Sequence, residues 1–158
     1  MKKINRLFTA IIISTSLLVG CSKFLDLNPP YTQDAENFFQ NEQDYLRALT
    51  GAYDLLQGMF VSYWIGDIAS DNCIAGGESV TDTEGLHQIE NMTHGAVNDE
   101  LRSVMRFNYC GIGRCNFILE PKEFEVDFSS KATILAEAKF LRAFYYFELV
   151  KFFGDIPL

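Results

Sequence analysis

The residues with the clearest chemistry lie at the amino terminus, where a single cysteine follows an apolar segment. Three basic residues precede an uncharged stretch over residues 7–19, and Gly20 comes directly before Cys21. A positive start, about a dozen apolar residues and a small residue at the cut are typical of an export signal. In bacterial lipoproteins, the cysteine after the cut receives lipid. We therefore predict a signal peptide over residues 1–20 and lipidation of Cys21; the alternatives are an ordinary secretory signal and a short uncut anchor helix.

The predicted lipid would tether the mature chain, residues 21–158, to a membrane surface. Two or more acyl chains hold a protein stably on a membrane, whereas a single chain binds only marginally. The apolar stretch itself is shorter than the ~20 residues that a spanning helix needs.

The charge of the chain restricts its partners. The sequence has 21 acidic and 13 basic residues and a net charge of −8, and the predicted signal removes three basic residues but no acidic one. An acidic chain argues against nucleic acid as a partner, because phosphate contacts need Lys and Arg. A mature chain of this length suits one domain with a sizeable core.

One group of side chains has the spacing of a metal site. His87, Glu90 and His94 are three and four residues apart, which would align them on one helix face. The segment lacks a strong helical pattern and no further ligand is evident, so we expect a solvated polar face and no metal. The sequence also lacks a phosphate-binding loop and a nucleophile elbow, so neither a catalytic residue nor a cofactor is expected.

After Cys21, three cysteines remain at positions 73, 110 and 115. An odd number in an exported protein leaves at least one free thiol or an intermolecular bridge. Cys110 and Cys115 should share a helix, where five residues place them about 140° apart, too far round for a bridge. We expect free thiols, two of them at least partly buried.

The elements that would position these residues are three long helices and one long loop. Asn41 and Asn98 are suitable N-caps for the first two helices, and Gly154 is suited to end the third. The predicted helices cover residues 42–59, 99–119 and 131–153, and the predicted loop covers residues 63–98. On a helical wheel of the first helix, Phe60 falls on the apolar side that would pack inward.

The second predicted helix contains small and polar residues at positions that call for an explanation. Gly111 and Gly113 each cost up to ~1 kcal/mol relative to alanine in a helix, and close contact with a neighbouring helix would explain them. Asn108 falls within the buried stripe of this helix and Asn116 at its edge. Both amides are therefore expected to have hydrogen-bond partners.

The third predicted helix is apolar on nearly every side. Over residues 140–153 its only polar residues are Arg142, Glu148 and Lys151, so it should be mostly buried. Glu148 and Lys151 share a polar stripe, whereas Arg142 points the other way, among apolar residues. Because a buried guanidinium keeps its charge and needs partners, we interpret Arg142 as a structural clamp to another helix.

Several segments, taken in order, match the pattern of a known family. Phe24-Leu25-Asp26 follows Cys21, Gly51-Ala52-Tyr53 lies on the first predicted helix, and Tyr109, Ile112 and Asn116 lie on the second. The most specific match is EAKFLRAFYYFELV at residues 137–150, closing with FGDIPL at residues 153–158. Together they resemble the SusD/RagB family, outer-membrane lipoproteins of gut and oral Bacteroidetes.

The resemblance implies an all-α fold of tetratricopeptide-like helical hairpins with a long irregular loop. Residues 21–158 would form the amino-terminal helical domain only, since family members are usually several times longer; Met105 stands where they often have Trp. The implied role is a surface-exposed outer-membrane lipoprotein that binds oligosaccharide or another nutrient. It would cooperate with a TonB-dependent transporter in glycan uptake, without catalysing a reaction.

If the chain binds a glycan, its ligand contacts should lie in the predicted loop. Sugar binding needs flat aromatic faces and planar polar groups. Tyr63 and Trp64 would supply the first, and Asp67, Asp71 and Asn72 the second. A Trp64 that fills the core, and turn capping by Asp71 and Asn72, are the alternatives.

A second function class is a truncated remnant or protein-interaction module without a glycan site. A third helix that is apolar on almost every side needs neighbours on every side. We therefore expect the isolated chain to expose an apolar patch over residues 140–153 and to aggregate.

Overall fold

The computed structural model describes residues 38–79, 81–122 and 126–158. All regular secondary structure among these residues is helical, which confirms the all-α prediction. The predicted signal peptide and Cys21 lie outside the described residues. The helices are α1 (Glu42–Asp54), a 3-10 turn (Leu55–Gly58), α2 (Met59–Ile68), α3 (Glu84–Glu90), α4 (Asp99–Leu119) and α5 (Lys131–Phe153).

Asparagine caps fix the starts of α1 and α4. The side-chain oxygen of Asn41 accepts a hydrogen bond from the backbone N–H of Asp44 at 3.2 Å. Asn98 accepts from two backbone N–H groups of the first turn of α4, both at 3.1 Å. Its buried amide also donates to the Gly85 carbonyl at 3.0 Å, which ties α3 to the start of α4. Both caps act as the sequence predicts, because each satisfies N–H groups that a helix start leaves open.

The prediction of a loop over residues 63–98 is wrong in two places, because this segment contains the end of α2 and all of α3. The structure joins these short helices through their apolar residues: Ile65 and Ile68 on α2 form a buried cluster with Leu86 and Ile89 on α3. A helix this short is stabilised mainly by such tertiary packing, not by its local propensity.

The contact between α4 and α5 is centred on Tyr145. Its side chain is fully buried, and its hydroxyl donates to the carbonyl of Ala52 on α1 at 2.6 Å. A Cβ at Gly111 would lie 2.5 Å from the Tyr145 ring, whereas a Cβ at Gly113 would meet nothing within 4 Å. The predicted close contact with a neighbouring helix therefore explains the glycine at position 111. The same prediction is wrong for Gly113.

Two amide side chains of α4 differ in how fully they are paired. Asn116 accepts a hydrogen bond from the Arg142 guanidinium at 2.9 Å, so Arg142 joins α5 to α4 through an amide and not through a carboxylate. Asn108 is fully buried, and its NH₂ group donates to the Val104 carbonyl at 2.9 Å. Its oxygen has no partner among the described residues, so the expectation of paired amides holds for Asn116 and only in part for Asn108.

The expectation that α5 is mostly buried is wrong in the described part of the chain. Phe140, Phe147 and Val150 are 68%, 62% and 50% exposed, because α1 and α4 pack on the opposite side of the helix. Glu148, expected on a polar stripe, is instead buried and pairs with Lys151 at 2.5 Å. Neither α5 nor any other helix of the described part is both long and apolar enough to cross a membrane. The same three residues form part of the exposed apolar patch that the sequence predicts over residues 140–153. Aggregation of the isolated chain stays a prediction.

The three described cysteines are free thiols, and only one is buried. Cys115 is fully buried in the core, whereas Cys73 and Cys110 are exposed. The expectation of two partly buried thiols is therefore wrong for Cys110, which α4 turns toward solvent. Burial raises the pKa of the Cys115 thiol to about 11, and the Arg142 charge opposes this rise.

We expect iodoacetamide at pH 8 to label Cys73 and Cys110 well before Cys115, because only a thiolate reacts. The folded pKa of Cys115 lies above its unfolded value of 9.0. The neutral buried thiol therefore favours the fold below about pH 9, and this contribution is lost as the pH rises toward 11. Peptide mass spectrometry with and without urea measures the difference; equal labelling of Cys110 and Cys115 in the native protein would contradict the structure.

Candidate ligand-binding site

One exposed stripe of α2 carries three large aromatic side chains and a carboxylate. Phe60, Tyr63 and Trp64 are 69%, 71% and 40% exposed, and Asp67 is also exposed. Positions 60, 63, 64 and 67 share one helix face because they are separated by three, four and seven residues. The other face of α2 packs inward, so burial of that face turns these four side chains, which we call the aromatic stripe, toward solvent.

Within the aromatic stripe, Phe60 and Trp64 form a stacked pair. Their ring centroids are 6.2 Å apart and the ring planes differ by 27°. Trp64 belongs to neither buried cluster, so the geometry does not support a Trp64 that fills the core. Two nearly parallel aromatic rings are therefore partly open to solvent beside each other on α2.

A cavity of about 320 Å³ borders the aromatic stripe, and both Trp64 and Asp67 line it. Its far wall is the loop between α2 and α3, where Gly77 adopts a φ of 145° that residues with a side chain rarely adopt. Asp82 packs against Gly77 and accepts a hydrogen bond from the Glu78 N–H at 3.2 Å. This loop is therefore held in place by local contacts beside the aromatic rings.

The polar residues of the predicted site lie at the end of α2. Asp67 is on the helix, and Asp71 and Asn72 are in the turn that follows; all three are exposed. The turn is closed by Ser70, whose hydroxyl donates to the Asp67 carbonyl at 2.7 Å and accepts from the Asn72 N–H at 3.3 Å. The side chains of Asp71 and Asn72 make no hydrogen bond to another described residue, so they are free to face a ligand.

The structure thus places Trp64 and Asp67 on the wall of one cavity. Tyr63 lies on the same face of α2, and Asp71 and Asn72 lie in the exposed turn that follows the helix. Sequence reasoning placed these residues on a loop and assigned Phe60 to the packed side of the first helix. The spacing of Phe60 from Tyr63 and Trp64 is the signal that could have joined it to the site.

The three side chains with metal-site spacing do not come together. His87 Nδ1 and Glu90 Oε2 are 3.5 Å apart, but α3 ends at Glu90 and His94 lies in the loop beyond it. Met92 adopts a left-handed φ of 53°, which breaks the helical path between them. In the part of the chain that the structure describes, no group of three His, Cys, Asp or Glu side chains could hold a metal ion.

The fold and the candidate site together define an all-α domain with an exposed aromatic stripe and further carboxyl and amide groups beside it. Comparison with known sequences specifies the family. This chain belongs to the SusD-like family, because the family model described as starch-binding and associating with the outer membrane matches residues 23–158. The resemblance found in the sequence is confirmed.

Two curated relatives come from Formosa agariphila. SusD-like protein P38 is 31% identical over 94% of this chain and 29% of its own length. SusD-like protein P2 is 29% identical over 99% of this chain and 31% of its own length. The chain therefore spans about a third of the length of the curated relatives it matches. No solved structure matches the chain.

Proposed function

We propose that this chain is the amino-terminal part of a nutrient-binding protein that binds oligosaccharide at the aromatic stripe of α2. The observation that carries the proposal is the solvent-exposed Phe60–Trp64 stack with Asp67 on the same helix face. The family description as starch-binding and outer-membrane-associated supports the class of ligand. No reaction is catalysed and no cofactor is required in this role.

The chemistry of the site suits a sugar ring. A pyranose has apolar C–H faces, which pack on aromatic faces, and hydroxyls, which need carboxylate or amide partners. The rings of Phe60 and Trp64 would take the apolar face of one sugar unit, and Tyr63 that of a neighbouring unit. Asp67, Asp71 and Asn72 would accept hydrogen bonds from the hydroxyls. An open surface of this kind favours an extended chain of several sugar units over a single monosaccharide.

Calorimetric titration of residues 22–158, which contain every described helix, tests the proposal. Because the exposed side of α5 predicts aggregation, the protein is kept at a concentration at which light scattering shows a monomer. Maltoheptaose is the first probe because the family is described as starch-binding; oligosaccharides of other linkages and charges complete the panel. The proposal expects saturable binding of at least one oligosaccharide and none of its monosaccharide. A protein that is folded by circular dichroism but binds no member of the panel would instead favour the remnant or interaction module.

Three further parts of the role are also proposals: the lipid anchor rests on the export signal before Cys21, and the other two rest on the family resemblance. We propose a lipid anchor at Cys21, a position on the outer surface of the outer membrane, and cooperation with a TonB-dependent transporter in glycan uptake. We also keep the tetratricopeptide-like arrangement of the hairpins as a proposal. The antiparallel pair α4 and α5 supports it. Tyr145 lies against Gly111, whereas Arg142, which is earlier on α5, bonds to Asn116, which is later on α4.

The lipid anchor predicts a specific labelling result. In bacteria expressing the full chain, radiolabelled palmitate should mark the protein, and Cys21→Ser should abolish the label. Cys73→Ser is the matched control, because Cys73 is exposed but lies outside the export signal, and it should leave the label unchanged. A label that survives Cys21→Ser would exclude Cys21 as the lipid site.

The exposed side of α5 supports the second function class. Phe140, Phe147 and Val150 are large apolar side chains on the helix surface, and such groups are typical of protein contacts. A protein-interaction module would use this side and not the aromatic stripe, so the glycan titration distinguishes the two classes.

A further inference from the structure

A larger cavity, of about 770 Å³, lies among α2, α3, the start of α4 and the end of α5. It shares no residue with the aromatic stripe and is reached from another side of α2. Its volume falls within the range of small-molecule sites, roughly 300–1,000 Å³. Most of its lining is apolar; the main contributors are Ile65, Met92, Leu101, Met105, Phe152 and Phe153.

The ionisable groups of this cavity are all basic. Arg102, Lys151 and His94 line it, and no acidic residue of the described chain does so. This contrasts with the whole sequence, in which 21 acidic residues outnumber 13 basic ones. A basic lining in an acidic protein favours an anionic ligand, because charge complementarity steers binding and sets specificity.

The basic side chains already have internal partners but keep free donors. Arg102 pairs with Asp99. Lys151 pairs with Glu148 at 2.5 Å, and its ammonium lies 5.4 Å from the centroid of the Phe147 ring. Both carboxylates lie outside the cavity lining. A guanidinium has five N–H donors and an ammonium has three, so each side chain can bind a ligand oxygen while it keeps its partner.

The loop after α3 contributes an adaptable side chain to the cavity wall. Met92 has a left-handed backbone, with φ of 53°, because it closes α3: its N–H donates to the Ile89 carbonyl at 3.1 Å, and the Thr93 N–H donates to the Gln88 carbonyl at 2.8 Å. The Met92 side chain is largely exposed at the cavity wall. The flexible Met92 and Met105 side chains can adjust to an apolar ligand of variable shape.

We propose that this cavity binds an amphipathic carboxylate, an organic acid with a medium-length apolar body. The carboxylate pairs with Arg102 and Lys151, and the apolar body packs on Phe152, Phe153 and Met105. A neutral sugar fits this cavity poorly, because the apolar lining leaves most of its hydroxyls without partners. This site is therefore separate from the proposed oligosaccharide site.

Titration of residues 22–158 with three ligands of equal chain length tests the charge preference. The probes are decanoate, decanol and decyltrimethylammonium, each kept below its micelle-forming concentration at low salt. Decanoate should bind at least tenfold more tightly than decyltrimethylammonium, with decanol between them. Equal affinities for the anion and the cation, or no binding of decanoate, would overturn the proposal.

Variants of the basic residues locate the site. Arg102→Gln with Lys151→Met should weaken decanoate binding at least tenfold and leave decanol binding unchanged. Lys139→Met, on the exposed side of α5, is the matched control and should change nothing. Loss of Lys151 beside the buried Glu148 could unfold the protein, and in that case Arg102→Gln alone decides, since the Arg102 side chain is mostly exposed. A loss of decanoate affinity of at least threefold in Arg102→Gln supports the site, and an unchanged affinity overturns it. Trp64→Ala should leave decanoate binding intact, so failure of the oligosaccharide proposal is distinguishable from failure of this one.

Discussion

Replacing Tyr145 with alanine is expected to lower the free energy of unfolding by about 3–5 kcal/mol, the range for a large buried aromatic side chain. Tyr145 is fully buried where α1, α4 and α5 meet. The change would leave a cavity beside Gly111 and remove the 2.6 Å hydrogen bond to the Ala52 carbonyl. Tyr145→Phe removes the hydroxyl alone and should cost only about 0.5–1.5 kcal/mol. Urea unfolding followed by circular dichroism measures both values.

The same contact can be tested from α4 with a matched pair of glycines. A Cβ at Gly111 would lie 2.5 Å from the Tyr145 ring, so Gly111→Ala should lose about 1–3 kcal/mol through overpacking. Gly113 is on the same helix with open space around it, so Gly113→Ala should gain up to ~1 kcal/mol of helix propensity. Effects of the same sign at the two positions would show that α4 and α5 do not approach as the structure has them.

The second large effect is expected at the aromatic stripe, where Trp64→Ala should weaken oligosaccharide binding at least tenfold, about 1.4 kcal/mol. The substitution removes the larger ring of the stacked pair that would hold the apolar sugar face. Because Trp64 is partly exposed and outside both buried clusters, the fold should change little. Titration calorimetry with the tightest oligosaccharide of the panel gives the ratio of affinities.

Phe140→Ala is the control for Trp64→Ala. Phe140 is an exposed aromatic residue like those of the stripe, but it lies on α5. Phe140→Ala should leave oligosaccharide binding unchanged. Equal losses of affinity in the two variants would mean that binding does not depend on the position of the exposed ring. An unchanged affinity in Trp64→Ala would show that the site is not on α2.

The sequence is most informative where structure is determined locally. The bounds of α4 and α5 are predictable from local signals. Asn98 caps the start of α4, and Gly154, with φ of 68°, ends α5. The short helices α2 and α3 were missed because tertiary contacts between their apolar residues stabilise them. The orientation of α5 could not be predicted either. A helix that is apolar all round gives no preferred face, so the packing of α1 and α4 decided that Phe140 faces solvent and Glu148 does not.

The candidate site shows the same limit. Tyr63, Trp64 and Asp67 can be selected from residue type alone, but Phe60 was missed because the first helix was extended to residue 59. The 3-10 turn over residues 55–58 shifts the helical phase, so Phe60 faces outward although the wheel of α1 predicts an inward position. Gly58 permits this turn against Phe107, whose ring would lie 2.7 Å from an added Cβ. Such a phase shift depends on a contact with α4 that is distant in sequence.

The central claim is that oligosaccharide binds the aromatic stripe of α2, and mapping by NMR tests it most directly. Isotope-labelled protein of residues 22–158 would be titrated with maltoheptaose or the tightest oligosaccharide of the panel. The account predicts that shift changes concentrate at residues 60–72 and at the indole N–H of Trp64. Changes confined to α5 or to the larger cavity around Phe152, with α2 unaffected, would contradict it.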